Sequence, residues 1–296
     1  EMVTAAALVR GGAVHLLDHD PGEHPLALQL GGADPEELAQ ATRLAVAAGY
    51  REVNLNLGCP SDRVQSGCFG AVLMTRPDLV AACLAAMQDA AEGAEITAKC
   101  RIGVDDQTPE QVLPRFLEML SGVGVRRVTI HARKAWLQGL SPKENREVPP
   151  LDYPLVLAMK QAFPHLDLSV NGGVVTLAQA RDFLDQGLGG VMIGRAAYHM
   201  PADILLRADS TIFGCPDPCA TPEAAALAMR PYLAAHVAAG GRAHNVTRHM
   251  LGLFAGRPGA RAWRRHLSTG ATRPGAGPEL LDEGLRLVRA AGAEAA

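Results

Sequence analysis

The sequence predicts an α/β chain: a TIM (β/α)8-type barrel followed by a small all-α domain. Three observations carry that expectation. Short apolar runs and amphipathic stretches alternate six times between residues 25 and 195, the pattern of repeated βα units on a parallel sheet. Polar residues collect at the C-terminal ends of those runs (Gln29, Asn56, Lys99, His131, Asn171 and Arg195), where a barrel assembles its site. No GxGxxG follows the first run, so a dinucleotide-binding doubly wound sheet is disfavoured.

The elements follow in order. Pro25–Leu30 reads as a short strand ended by Gly31-Gly32. Asp34 then caps a helix, with Pro35 at its first position, Glu37 completing a capping box and Gly49 as the stop. Glu52–Leu57 is the next strand, ended by Gly58 and Pro60, and a helical stretch covers 77–92. Glu95–Cys100 is a strand, and Thr108-Pro109 with Gln111 opens a helix that Gly122 closes. Arg127–His131 is a strand, followed by a long loop to Tyr153 and a helix to Phe163. Leu168–Asn171 ends in Gly172-Gly173, and a helix from Thr176 leads to Gly190–Ile193, which ends in Gly194-Arg195. Runs rich in Val, Ile and Leu without strict alternation suit parallel strands buried on both faces. Glu1-Met2-Val3 reads as the tail of a seventh strand. The count therefore predicts one more βα unit of about 30 residues ahead of it, holding a barrel strand and part of the site.

Residues 1–214 are thus assigned to the barrel, 215–222 to a linker rich in Pro and Cys, and 223–296 to a helical domain. Helices are expected over 222–239, 244–256, 258–268 and 278–292. The net charge of −3 conceals an asymmetry. From 224 to 278 there are eight arginines and no lysine or acidic residue, leaving −11 for the remainder. A basic domain joined to an acidic body points to a polyanionic partner, against the simpler reading of a solvated helix face. No run of about 18 apolar residues spans a membrane. The six cysteines lack paired CxxC spacing, which suits reduced thiols in a cytoplasmic protein.

Cys59 sits just past a strand end, three residues after Asn56. Alone it reads as a small buried turn residue. Its neighbours add chemistry. Glycines in Asn171-Gly172-Gly173 and Gly194-Arg195 let backbone N–H groups approach phosphate oxygens, and Arg195 can neutralise their charge. Lys99 is costly to bury without an anion. His131 stands at the next strand end, and reads on its own as a core histidine. Gln29 offers an amide to a flat heterocycle. Together these residues describe a flavin mononucleotide (FMN) site better than a metal site, because the strand ends lack clustered carboxylates and imidazoles.

The motifs Asn54-Leu-Asn-Leu-Gly-Cys59-Pro-Ser-Asp-Arg63, Gly70-Ala71, Ala98-Lys99-Cys-Arg101, Ile130-His131-Ala-Arg133, Asn171-Gly-Gly173 and Gly194-Arg195 resemble those of tRNA-dihydrouridine synthases. His131–Arg146, His244–Met250 and Pro258–Arg265 resemble the A-type bacterial branch in particular. The resemblance covers nearly the whole chain. It implies a TIM-type barrel with bound FMN and a C-terminal RNA-binding domain. It also implies NADPH-driven reduction of D-loop uridines, U20 and U20a; a monomer without metal is expected. Hydride would pass from flavin N5 to uracil C6, and the charge at C5 would take a proton. A thiol ordinarily titrates near ~8.5 and keeps its proton at neutral pH, so Cys59 is the expected donor. Asn56 is expected on the uracil edge, and Lys99 and His131 on the flavin. Lys143, Arg146, Arg261, Arg264 and Arg265 are expected on tRNA. Trp263 reads either as a stacking surface or, more simply, as a core anchor. The competing readings are a free-pyrimidine or dihydroorotate-type flavin dehydrogenase, and a flavin-deficient tRNA-binding protein.

Overall fold

A computed structural model describes residues 2–61 and 67–294. Glu1 of the expected first strand, and Asp62 and Arg63 of the cysteine motif, lie outside the described residues. The chain forms two compact units, Glu1–Gly173 with Phe183–Met192, and Val174–Asp182 with Ile193–Ala296.

The first unit is built on seven parallel strands: β1 (Met2–Thr4), β2 (Ala27–Gly31), β3 (Glu52–Leu57), β4 (Glu95–Arg101), β5 (Arg127–His131), β6 (Asp167–Asn171) and β7 (Gly190–Met192). They lie in one sheet in sequence order, the order of a TIM-type barrel. Helices α1 (Ala5–Val9), α2 (Pro35–Ala47), α3 (Pro77–Asp89), α4 (Pro109–Gly122) and α5 (Tyr153–Ala162) alternate with them, and α6 (Leu177–Asp185) precedes β7. Helix α2 starts as expected: the Asp34 carboxylate accepts the Glu37 amide at 2.9 Å. The expected capping box is not completed, because the Glu37 carboxylate pairs with Arg10 at 2.6 Å instead.

The strands differ from the expected apolar runs in one respect that positions the site. They alternate. Leu55, Leu57, Ile96, Ala98, Val128, Ile130, Leu168 and Val170 are buried in one core with Leu38, Leu84, Leu113 and Phe116 of the helices. The residues between them are polar, and hydrogen bonds link them from strand to strand. Arg127 bonds Glu52 at 3.3 Å, Glu95 at 3.3 Å and Asp167 at 3.2 Å, all at strand starts. Above that layer Thr97 donates to Glu52 at 2.8 Å, and Asn54 to Thr97 at 2.8 Å. Gln29 in turn donates to Asn54 at 2.8 Å. A polar ladder therefore runs up the non-helical face of the sheet, with Glu52, Asn54 and Thr97 each hydrogen-bonded to a neighbouring strand.

The second unit contains α7 (Arg195–His199), α8 (Pro201–Ile204), α9 (Pro222–Ala228), α10 (Arg230–Ala238), α11 (Ala243–Thr247), α12 (Ala260–Gly270) and α13 (Glu279–Glu294). The single helix expected over 222–239 is two, parted at Met229, with Pro231 in the first turn of the second. The helix expected over 244–256 stops at Thr247. Turns follow, with Gly256 and Gly259 at positive φ, and Gly252 lies so close to the His199 carbonyl that a Cβ there would stand 2.4 Å from the oxygen. Trp263 anchors the core of this unit. It is fully buried, its indole N–H donates to the Met250 carbonyl at 2.9 Å, and its ring meets Phe254 edge-on.

Candidate active site

The turn after β3 holds Cys59, and Asn56 holds the turn. The Asn56 side-chain carbonyl accepts the Gly58 amide at 3.1 Å and the Cys59 amide at 3.0 Å. Its Nδ2 donates to Gln29 Oε1 at 2.7 Å, which fixes the amide's orientation. Asn56 is itself buried. Cys59 remains partly accessible, its Sγ 3.5 Å from Ser61 Oγ, and its carbonyl accepts the Ala71 amide at 2.9 Å. Beside it opens a cavity of 670 Å³, whose walls include Met2, Thr4, Leu28, Tyr50 and Phe69. Two other thiols are distinct from it. Burial pushes Cys83 up to about 11 and Cys100 up to about 12, so both stay inert.

The strand register places Asn56 beside Lys99, Arg101 beside His131, and His131 beside Asn171. These residues, all but Arg101 expected from sequence as site residues, share the C-terminal edge of the sheet. Burial lowers Lys99 to about 8, and the neighbouring Arg101 cation adds to the shift. Among the described residues no carboxylate pairs with Lys99. A cation in that condition fits an anionic group, which is what a phosphorylated flavin supplies. The Asn171 amide donates to the Met192 carbonyl at 2.8 Å. Gly172 and Gly173 both take positive φ, and the Tyr153 hydroxyl donates to the Gly172 carbonyl at 2.6 Å. A Cβ on Gly172 would stand 3.0 Å from the His131 ring, and one on Gly173 would stand 2.5 Å from Leu151. Only glycine fits there, and its backbone is left bare for a ligand. Gly194 and Arg195 open α7 in the second unit, both exposed.

Arg101 was legible in the Ala98–Arg101 motif but is not a residue that sequence reasoning singled out. It is 4% exposed and donates to three backbone carbonyls, Gly58 at 3.1 Å, Lys134 at 3.2 Å and Asn145 at 2.9 Å. The loop from Ala132 to Leu151 carries Lys143 and Arg146, both exposed. Buried Asn145 organises it, accepting the Trp136 amide at 2.7 Å and donating to the Trp136 and Leu140 carbonyls. In the second unit, α12 buries Trp263 and Leu267 and presents Arg261, Arg264 and Arg265 to solvent. Of the eight arginines, Arg230 pairs with Asp282 and Arg257 with Asp203. Arg242, Arg248, Arg261, Arg264, Arg265 and Arg273 pair with no carboxylate among the described residues.

Parallel strands in sequence order with the Cys59 turn, the Lys99 cation and a bare glycine turn at their C-terminal edge suit an α/β-barrel oxidoreductase. The chain belongs to the dihydrouridine synthase (Dus) family, whose model matches residues 1–288. It is similar to the tRNA-dihydrouridine(20/20a) synthase of Escherichia coli strain K12, with 52% identity over 289 residues, 97% of this chain and 83% of that protein. The protein of the same name from Shewanella oneidensis is 51% identical over 281 residues, covering 95% of this chain and 83% of its own. A third, from Vibrio parahaemolyticus, is 51% identical over 286 residues, 96% of this chain and 86% of that protein. The family is generally flavin-dependent. No helix among the described residues is long and apolar enough to cross a membrane.

Proposed function

We propose that this chain reduces uridines 20 and 20a of the tRNA D-loop to 5,6-dihydrouridine in the cytoplasm, using FMN and NADPH. The observation that carries the reading is the Cys59 turn, held by Asn56 at the strand edge that also bears Lys99 and His131. The names of the three relatives supply the substrate.

Lys99 and His131 would hold the flavin ring, and Gln29 would reach its edge. Asn171, Gly172 and Gly173 are suited to its phosphate, as are Gly194 and Arg195 in their own turn. FMN, when bound, supplies hydride to uracil C6 and is recharged by NADPH. The protein's own part is the proton. Hydride addition at C6 leaves the electron pair at C5 and its conjugated carbonyl. The Cys59 Sγ–H donates to C5, and the resulting thiolate is reprotonated from solvent. One Asn56 amide hydrogen is committed to Gln29, and the second can meet a uracil carbonyl. The target base must leave its stack to reach these groups. Lys143, Arg146, Arg261 and Arg264, all exposed, serve the tRNA phosphates.

A free-pyrimidine dehydrogenase would share the barrel and flavin but has no use for the unpaired arginine face of α12. The test is dihydrouridine mapping in tRNA from cells lacking the protein. Loss at positions 20 and 20a, restored by the intact gene, is the expected result. An unchanged dihydrouridine profile contradicts the reading.

A further inference from the structure

The reaction just described leaves the buried Arg101 without a role. Arg101 is buried, makes no ion pair among the described residues, and donates to three backbone carbonyls, one in the Cys59 turn and two in the Ala132–Leu151 loop. Burying a guanidinium without an anion is costly, so the arrangement calls for a purpose. Its three acceptors supply one. Gly58 immediately precedes Cys59 in the catalytic turn, Lys134 opens the loop after β5, and Asn145 is the buried residue on which that loop folds. The same loop is stitched below to the turn after β4, where the Ala135 amide donates to the Gly103 carbonyl at 2.9 Å and the Asp105 amide to the Ala135 carbonyl at 2.8 Å. Those bonds settle where the loop lies against β4. They do not reach the Cys59 turn, whereas Arg101 bonds its Gly58 carbonyl.

We propose that Arg101 is a positioning residue that locks the Cys59 turn and the Ala132–Leu151 loop into one register. The planar guanidinium is the group suited to the task, because its donors fan out in fixed directions, whereas an ammonium is a single point. The inference rests on the proposed function for its catalytic consequence, though not for the tether itself. Misplacing the proton donor by about 1 Å costs on the order of 100-fold in rate.

The test compares the full chain with Arg101→Lys, which keeps the charge but cannot span three carbonyls, and with Arg101→Gln, which removes the charge and keeps an amide donor. Circular dichroism and a cooperative melt establish that each variant is folded. Iodoacetamide labelling is followed at the Cys59 peptide by mass spectrometry, without tRNA present. Hydrogen exchange is followed at the Ala71 amide, bonded to Cys59, and at the Trp136 amide, bonded to Asn145. The tether predicts that labelling of Cys59 speeds up by about fivefold or more in a folded variant, and that both amides exchange faster together. It also predicts a roughly 100-fold loss in tRNA-dependent turnover, with tRNA affinity nearly unchanged. Parental labelling and exchange in a folded variant overturn the tether, as does faster exchange at Trp136 alone. Faster labelling and exchange with undiminished dihydrouridine formation support the tether and strike instead at Cys59 as the proton donor.

Discussion

The Asn56 side chain accepts the backbone amide of Cys59 at 3.0 Å, so the residue expected to read the substrate also builds the turn that carries the thiol. Its orientation is set in turn by Gln29. Asn56→Ala therefore removes two amide partners at once and leaves the part-buried Gly58 and Cys59 amides without their acceptor. We expect a loss of about 1–3 kcal/mol in stability and a fall in turnover. Asn56→Asp keeps the acceptor oxygen and recovers most of the stability. Urea denaturation of both variants checks this, and equal destabilisation contradicts it.

Cys59→Ala is expected to keep flavin bound while nearly abolishing dihydrouridine formation in bulk tRNA, because it removes the proton source and leaves the strand-end edge intact. Flavin absorbance and dihydrouridine analysis read the two properties separately. Full activity in the variant removes Cys59 from the mechanism.

Lys99 supplies a pH dependence. Burial holds it at about 8, with Arg101 adding repulsion, against ~10.4 for lysine in an unfolded chain. Between those values the unfolded chain binds the extra proton, so the stability of the flavin-free protein rises with pH through that window. Lys99→Met is accordingly more stable than the parent near pH 7, and its advantage shrinks as pH climbs past 8. Urea midpoints at successive pH values test this. An advantage independent of pH contradicts it. If Lys99 holds the flavin as proposed, the same variant binds FMN more weakly, which flavin fluorescence titration reads.

Trp263 is a structural residue. Trp263→Ala should cost about 3–5 kcal/mol in the helical unit, since the ring is fully buried and its N–H is bonded. Gly284→Ala tests the same contact from the other side, because a Cβ there would stand 2.8 Å from the ring. A cost of about 1–3 kcal/mol is expected. Thermal melts read both.

Arg261 and Arg264 lie on the opposite face of that helix. Neutralising both should weaken tRNA binding and reduce the slope of log affinity against log salt by about 2. An unchanged slope would remove α12 from the RNA interface.

The βα order and the strand-end polar residues were legible because β2, β3, β6 and β7 close on or near a glycine and Asp34 marks a helix start. Trp263 was legible as a core anchor from its place among helical apolar residues. The polar ladder was not. Asn54, Thr97 and Arg127 look like ordinary strand polars until the register sets Gln29 beside Asn54 and Asn54 beside Thr97. Arg101 escaped for a related reason, since its three acceptors are backbone atoms, which a sequence does not label. The helix ends in the second unit were misjudged where glycine turns and Pro231 interrupt alanine-rich stretches that otherwise read as continuous.

Cys59 is proposed to deliver the proton in tRNA uridine reduction. The most direct measurement is a reaction of the purified, flavin-loaded protein and its Cys59→Ala variant with NADPH and unmodified tRNA, read by dihydrouridine mapping along the D-loop. Dihydrouridine is expected at positions 20 and 20a with the parent and almost none with the variant. Equal products from the two, or none from the parent, would contradict it.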